Sequence, residues 1–199
     1  MLKHTNSPQS LVPFYEKFPE DLLFFEKEAY AKGHFQVAGV GVDGLGAIAG
    51  PLVIAACILP KEGPYIPRKG NQILSNPHIA YAIEVIELLP GQANQSLPLL
   101  LDGIKRTIAL LSTPPEWILI GGPYNPFSSK NSKTIIQGAK LSHSIAYATS
   151  LAKHTRNAIM DGHHAKWPEY DFAKHKGHPT TKHVKNLKQF GPSPIHHGK

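Results

Sequence analysis

The sequence of 199 residues predicts a single mixed α/β domain. Two runs rich in alanine and β-branched residues, at 35–42 and 52–59, are joined by a glycine-rich turn, which favours a hairpin of two central strands. An alanine-rich segment at 142–160 has the composition and length of a helix. Apolar residues make up 41% of the chain, enough for one sizeable core. Strands and helices around one core define an α/β fold.

Three further strands follow the hairpin along the chain. Residues 79–88 form an apolar run and are predicted as the third strand. Residues 117–120 and 134–136 are short apolar segments, predicted as parallel strands. The stretch at 61–76 is rich in proline, glycine and polar residues and is predicted as a loop.

Helical spacing of apolar residues predicts the other helices. Residues 20–32 have this spacing and are followed by Gly33, a typical helix stop. Residues 97–111 are predicted as a helix despite Gly103, because Pro98 can occupy the first turn. With a last helix at 180–190, the predicted order from the hairpin onward is β-β-β-α-β-β-α-α.

The net charge of +7 is concentrated near the C-terminus, where residues 166–199 hold seven lysines against two acids. This asymmetry indicates a polyanionic partner or a basic surface that aids solubility. Cys57 lies in an apolar run and is predicted to be buried. No apolar run approaches the roughly 20 residues that cross a bilayer, and the N-terminus does not read as a signal peptide. We therefore expect a cytoplasmic monomer of one domain, 1–199, with a flexible segment at 1–18.

The glycine-rich turn contains a formal G-x-G-x-x-G at Gly39, Gly41 and Gly44. A dinucleotide-binding loop needs a helix directly after its third glycine, since the helix N-terminus receives the pyrophosphate. Here a strand-like run follows instead. Glu62, the only acid at a suitable distance for a ribose, lies in a Pro/Gly-rich loop. The pattern therefore disfavours a dinucleotide site.

Three separated motifs together resemble another family. V-A-G-V at 37–40 and A-G-P at 49–51 flank Gly44 and Gly46. I-A-Y-A-T-S-L-A-K-H-T-R-N occupies 145–157, and the later segments read Y-D-F-A-K-H-K-G-H-P-T at 170–180 and G-P-S-P-I-H at 191–196. In this order they resemble the ribonuclease HII family, with its V-A-G-V-D-E-A-G-R-G-P-L, T-R-D, Y-x-F-x-x-H-K-G-Y-x-T and G-x-S-x-x-H-R motifs.

The resemblance implies a ribonuclease H-like fold, a mixed sheet flanked by helices with a C-terminal helical extension. It also implies endonucleolytic cleavage of RNA in RNA/DNA hybrids, or at ribonucleotides embedded in DNA. That chemistry uses two divalent metals, manganese or magnesium, held by four acids. All four family acids are replaced here, and the family positions fall on Gly41, Val42, Gly121 and Asn157.

Two other acids are candidates for a replacement role. A shortened loop would align Asp43 with the first family acid, although its neighbour is then Gly44 rather than glutamate. Asp102, in L-L-L-D-G, lies in the predicted helix 97–111 and is interpreted as a solvated acid on the helix face. As the sequence stands, we expect no metal cofactor, since glycine and valine offer no oxygen ligand.

The resemblance also implies a nucleic-acid-binding set. The family's G-R-G and tyrosine, which report on the ribose 2′-hydroxyl, are replaced by Gly44-Leu45-Gly46 and His178. A Ser-Lys motif of the family is missing from 61–77. The paired histidines His163-His164 and His196-His197 are not expected to bind zinc, because adjacent residues on a regular element point apart. The remaining candidates for phosphate contact are Thr149, Lys153, Arg156, Lys174, His175, Lys176 and Thr180.

Three functions stay open at this stage. The first is a catalytically impaired relative, a pseudoenzyme that still binds an RNA/DNA hybrid or a ribonucleotide-containing duplex weakly. The second is an active hybrid endonuclease that uses Asp43. The third is a scaffold or partner-binding domain with no nucleic-acid role.

Overall fold

A computed structural model describes residues 22–61 and 70–197 of the chain. The predicted flexible segment at 1–18 lies outside the described residues. No helix within the described part is long and apolar enough to cross a membrane.

The centre of the fold is a five-stranded mixed sheet. Its strands are β1 (Val37–Asp43), β2 (Leu52–Ile58), β3 (Ala80–Ile86), β4 (Trp117–Gly121) and β5 (Ser132–Ile135). Their order in the sheet is β3-β2-β1-β4-β5. Strands β1, β2 and β3 pair antiparallel, whereas β4 and β5 run parallel to β1 and to each other. This topology confirms the predicted hairpin, the third strand and the parallel pair.

Six α-helices accompany the sheet in the described part of the chain. They are α1 (Phe24–Ala31), α2 (Gly70–Leu74), α3 (Ser96–Ala109), α4 (His143–Lys166), α5 (Phe172–His175) and α6 (Thr181–Phe190).

Helices cover both faces of the sheet, which explains why every residue of β2 is buried. Ile54 faces a core that includes Leu100 and Ile104 of α3. Val53 faces the opposite core, which includes Tyr147 and other residues of α4. The long helix α4 therefore crosses the face that also carries the alternate residues Gly39, Gly41 and Asp43 of β1.

A buried carboxylate fixes the start of α4. Glu26 of α1 is only 2% exposed, and its Oε1 accepts hydrogen bonds from the hydroxyl groups of Ser142 (2.6 Å) and Ser144 (2.7 Å). The backbone N–H of Ser144 donates a third bond to the same oxygen at 2.9 Å. A negative charge at this position suits the partial positive charge of a helix N-terminus.

Three local features differ from the sequence-based predictions. Helix α2 lies in the stretch predicted as a loop. Helix α4 continues six residues beyond Met160, through an exposed polar segment whose composition gave no apolar signal. Helix α5 is a single turn between Asp171 and Lys176, both of which have positive φ angles (60° and 49°), and apolar periodicity cannot detect so short an element.

Two interpretations of single residues are confirmed. Cys57 is fully buried, and its burial raises the pKa of the thiol. Asp102 is solvated on α3, with its side chain 64% exposed and 3.8 Å from the ammonium group of Lys105.

Candidate functional site

The glycine-rich turn between β1 and β2 is shaped by backbone conformation. Gly44, Gly46 and Gly50 have φ angles of 97°, 80° and 84°, in the left-handed region that favours glycine. No helix follows Gly44, and the chain returns directly as β2. The turn therefore lacks the helix N-terminus that a dinucleotide would need.

Arg156 of α4 holds this turn from inside the protein. Its side chain is fully buried and donates hydrogen bonds to the carbonyl oxygens of Pro51 (2.8 Å), Ala49 (3.1 Å) and Lys176 (2.7 Å). Burial lowers the pKa of Arg156, and the carboxylate of Asp43, 3.7 Å away, acts in the opposite direction. The prediction that Arg156 contacts phosphate is therefore corrected, because all of the guanidinium is shielded from solvent.

The burial of Arg156 follows from the helix repeat. Ala148, Ala152, Arg156 and Met160 lie four residues apart and form one buried stripe on α4. Lys153 is three residues from Arg156 in sequence, yet its side chain is exposed. The two cations therefore do not share a solvent face.

Lys153 and Asn157, one turn apart on α4, face an open cleft with a volume of about 380 Å³. Asp43, at the end of β1, forms another wall. The remaining wall comes from α5 and the turn that follows it. We call this the basic cleft, lined by Asp43, Lys153, Asn157, Lys174, His175, Lys176 and His178.

The lysines of the basic cleft have different surroundings. Lys176 forms an ion pair with Asp161 and is only 21% exposed. Lys174 is 74% exposed and lies 3.2 Å from Asp171. No carboxylate of the described residues lies within ion-pair distance of Lys153.

The other predicted nucleic-acid-binding residues lie elsewhere. Gly44, Leu45 and Gly46 line a separate cavity of about 220 Å³. Thr149 packs against the backbone of β1, and Thr180 is the exposed N-cap of α6, where it accepts a hydrogen bond from the His183 N–H. The structure thus gathers Lys153, Lys174, His175, Lys176 and His178 in one cleft and leaves Gly44, Leu45, Gly46, Thr149 and Thr180 outside it.

His175 is a wall of the cleft rather than an accessible ligand. It is 9% exposed and stacks on His183 with ring centroids 4.1 Å apart. Its Nδ1 accepts a hydrogen bond from Gly177 N–H, so its Nε2 carries the proton and donates to the carbonyl of Tyr170. Both ring nitrogens are therefore occupied within the protein.

His183 and His196 continue this buried histidine cluster. Ser193 N–H donates to Nδ1 of His196 at 2.9 Å, which leaves the proton on Nε2. That Nε2–H donates to Nε2 of His183 at 3.0 Å, and Nδ1–H of His183 donates to the carbonyl of His178 at 2.9 Å. The neutral forms of His183 and His196 satisfy all three of these hydrogen bonds. Burial lowers the pKa of His196 to about 4.

Sequence reasoning missed this cluster because His183 carried no motif signal, while His196 was considered only as a motif residue and beside His197. The spacing of Ser193 and His196 in G-P-S-P-I-H was the available clue. Asp161 and Asp171, the partners of the cleft lysines, were also missed, since their pairing depends on α4 extending past Met160 and on the left-handed conformation of Asp171.

The four family acid positions do not converge on one cavity. Gly41 lies directly under Thr149, whereas Val42 packs against the core on the opposite face of the sheet. Gly121 faces Ile145, and only Asn157 reaches the basic cleft. No group of three or more His, Cys, Asp or Glu residues in the described part is placed to hold a metal ion. The donor set, one carboxylate and one neutral amide, does not fit a pair of divalent cations.

The sheet order and the helices on both faces define a ribonuclease H-like protein. Solved structures agree at the level of fold. The ribonuclease H2 of Pyrococcus horikoshii OT3 has a TM-score of 0.60 at 16% identity, covering 81% of this chain and 92% of that one. The RNase H3 of Aquifex aeolicus has a TM-score of 0.59 at 14% identity, covering 86% and 75%.

Sequence relatives are more specific. The ribonuclease HII of Chlamydia trachomatis serovar D is 34% identical over 190 residues, which cover 89% of this chain and 87% of the relative. The ribonuclease HII of Caldanaerobacter subterraneus subsp. tengcongensis is 33% identical over 190 residues, covering 89% and 78%. No protein-family model matches the chain. The chain belongs to the ribonuclease HII family.

Proposed function

We propose that this member of the ribonuclease HII family binds RNA/DNA hybrids or ribonucleotide-containing duplexes at the basic cleft, and does not hydrolyse RNA by the two-metal route. The observation that carries the proposal is the composition of the cleft. Lys153, Lys174 and Lys176 line it with His178, against the single carboxylate of Asp43. Lysines at such a surface contact phosphates, which dominate affinity for nucleic acid.

The electrostatics of a metal pair argue against hydrolysis. Two divalent cations about 4 Å apart repel each other by on the order of 16 kcal/mol at an effective dielectric constant near 20. Several carboxylates are needed to offset this repulsion. Asp43 is the only carboxylate among the residues that line the cleft, and the positive charge of Arg156 lies 3.7 Å from it.

The alternative of an active endonuclease that uses Asp43 has partial support, since Asp43 and Asn157 line the same cleft. Their neighbours weaken it. Three lysines surround the same space, and positive charge disfavours a bound cation. We therefore treat Asp43 as a counter-charge to Arg156 rather than as a metal ligand.

Binding is tested by fluorescence anisotropy with a labelled RNA/DNA hybrid between 50 and about 200 mM salt. The variant Lys153→Ala/Lys174→Ala removes two exposed cations of the cleft. Lys105→Ala removes an exposed cation from α3, on the opposite face of the sheet. We expect the double variant to reduce the magnitude of the negative slope of log K against log salt by about 2, and the control to leave that slope unchanged.

The same titration separates the remaining functions. Equal slopes for the wild type and the double variant would place binding outside the cleft. Absence of salt-dependent binding to any duplex would favour a scaffold or partner-binding domain instead.

A further inference from the structure

We infer that the basic cleft holds a backbone phosphate of the nucleic acid directly on lysine ammonium groups, without a divalent cation. We also infer that main-chain atoms of α4 fill the space beside β1 that the side chains holding a metal pair would need. The inference rests on the proposed function and gives it a mechanism of recognition. Two independent observations support it, one concerning space and the other concerning charge.

The space beside β1 is filled by α4. A Cβ atom built on Gly41 would lie 2.2 Å from the backbone nitrogen and 2.5 Å from the Cα of Thr149. A Cβ on Gly39 would lie 2.1 Å from the carbonyl carbon of Ser144. Real Cβ atoms do not approach backbone this closely, because close-packed interiors do not tolerate such overlap. Position 41 therefore has no room for the first atom of an aspartate side chain.

At the end of β4, the space beside Gly121 is occupied by a side chain rather than by backbone. A Cβ on Gly121 would lie 2.8 Å from Cγ2 of Ile145, and 3.2 Å from the carbonyl oxygen of Val40. Ile145 is buried and β-branched, so its rotamer is restricted, but the contact at Gly121 is with a side chain. The contact at Gly41 is with the backbone of Thr149, which can move only with the whole helix. Gly41 is therefore the position that decides whether an acidic site can be rebuilt.

The charges at the cleft leave one cation unmatched. Asp43 is paired with the buried Arg156, Asp161 with Lys176, and Asp171 with Lys174 and Lys182. Lys153 has no acidic partner among the described residues. The side-chain amide of Asn157, one helical turn away, supplies a neutral N–H donor. An ammonium group and an amide on adjacent turns suit a phosphate oxygen, an acceptor that a cluster of carboxylates would repel.

Direct contact between lysine and phosphate is tested by measuring the dissociation constant of the hybrid in EDTA and in magnesium at matched ionic strength. We expect binding in magnesium to be no tighter than in EDTA, because no bridging cation is needed and magnesium competes with the lysines for the phosphates. Lys153→Ala should weaken binding about three- to tenfold in both buffers, as loss of one phosphate contact does, and Lys153→Arg should restore most of it.

Binding that strengthens tenfold or more in magnesium or manganese would overturn the inference but leave the proposed function standing. Failure to bind the hybrid in either buffer would overturn both. These two failures are therefore distinguishable in one titration.

The lack of space at position 41 is tested by Gly41→Ala and Gly41→Asp, with Gly162→Ala as the matched control. Gly162 lies within α4, and a Cβ built on it meets no atom within 4 Å. We expect both Gly41 variants to lose thermal stability or fail to fold, and the control to keep the wild-type melting temperature or exceed it. A stable Gly41→Asp protein that binds manganese stoichiometrically, as measured by calorimetry, would show that position 41 can hold an acidic side chain and would overturn this part of the inference.

Discussion

The guanidinium of Arg156 lies 3.7 Å from the carboxylate of Asp43, and it also donates to three carbonyl oxygens from two other segments of the chain. One buried cation thus joins the end of β1, the glycine-rich turn and the turn after α5. The basic cleft opens between these segments. Its shape therefore depends on a residue that does not contact a ligand.

Arg156→Ala is expected to reduce the free energy of unfolding by about 3 to 5 kcal/mol, because it leaves buried carbonyls and a carboxylate without their partner. Arg156→Lys should recover only part of this loss, since an ammonium group lacks the planar arrangement of five donors. Urea denaturation measures both changes. The exposed Lys153→Ala should change stability by less than about 0.5 kcal/mol, and a similarly small effect of Arg156→Ala would contradict the structural role.

The histidine cluster predicts a loss of stability in acid. Burial is the main cause that lowers the pKa values of His175, His183, His196 and His197. The unfolded chain, with histidine pKa values near 6.5, therefore binds more protons than the folded chain below pH 6.5, and for His196 this difference extends down to about pH 4. Stability should be complete above pH 6.5 and fall as the pH approaches 4, by about 1.4 kcal/mol for each unit of pKa difference.

The urea midpoint measured from pH 7.5 to 4.5 checks this expectation. His183→Asn should flatten the dependence, whereas replacing the exposed His78 by Gln should leave it unchanged. A midpoint that rises or stays constant as the pH falls would show that these histidines are not held in their neutral forms.

Glu26 is expected to contribute more to the free energy of unfolding than an exposed acidic residue does. Glu26→Ala removes the acceptor of three buried hydrogen bonds at the start of α4, and should cost about 2 to 4 kcal/mol. Asp102→Ala, at a solvated acid on α3, is the matched control and should have little effect. Thermal unfolding of the two variants side by side decides the matter, and equal melting temperatures would contradict the anchoring of α4 by Glu26.

Restoring the family acids is expected to fail as a route to activity. The variant Gly41→Asp/Val42→Glu/Gly121→Asp/Asn157→Asp has the full acid set, yet the backbone of Thr149 lies in the space of residue 41. We expect reduced stability and no cleavage of a hybrid in manganese. Asn157→Asp alone should fold normally, because its side chain already faces the open cleft. Efficient cleavage by the fourfold variant would show that α4 can move away at little cost.

The sheet was largely predictable from sequence because β1 to β4 are apolar runs separated by glycine and proline, and because three motifs carried the family resemblance. The mostly polar β5 begins two residues before the predicted segment 134–136. The loss of the acids was equally visible. The sequence did not show which residues of α4 point into the protein and which point to solvent. Lys153 and Arg156 look alike as cations three residues apart, yet the buried stripe of Ala148, Ala152 and Met160 places only Arg156 in the interior.

The close contact between Gly41 and the backbone of Thr149 could not be predicted from sequence for a related reason. A glycine in a strand indicates a bulge or a close approach of backbone, but the sequence does not say which element approaches. Only the packing of α4 identifies Thr149 as the neighbour. The pairing of Asp161 and Asp171 with cleft lysines likewise depends on contacts between segments that are separate in sequence.

The most direct measurement is a single-turnover assay with excess purified wild-type protein, a labelled RNA/DNA hybrid and manganese, in which binding and RNA integrity are followed together. We expect a salt-sensitive complex in which the RNA strand stays intact. RNA cleavage that tracks the wild-type protein through purification and disappears in Asp43→Asn would contradict it.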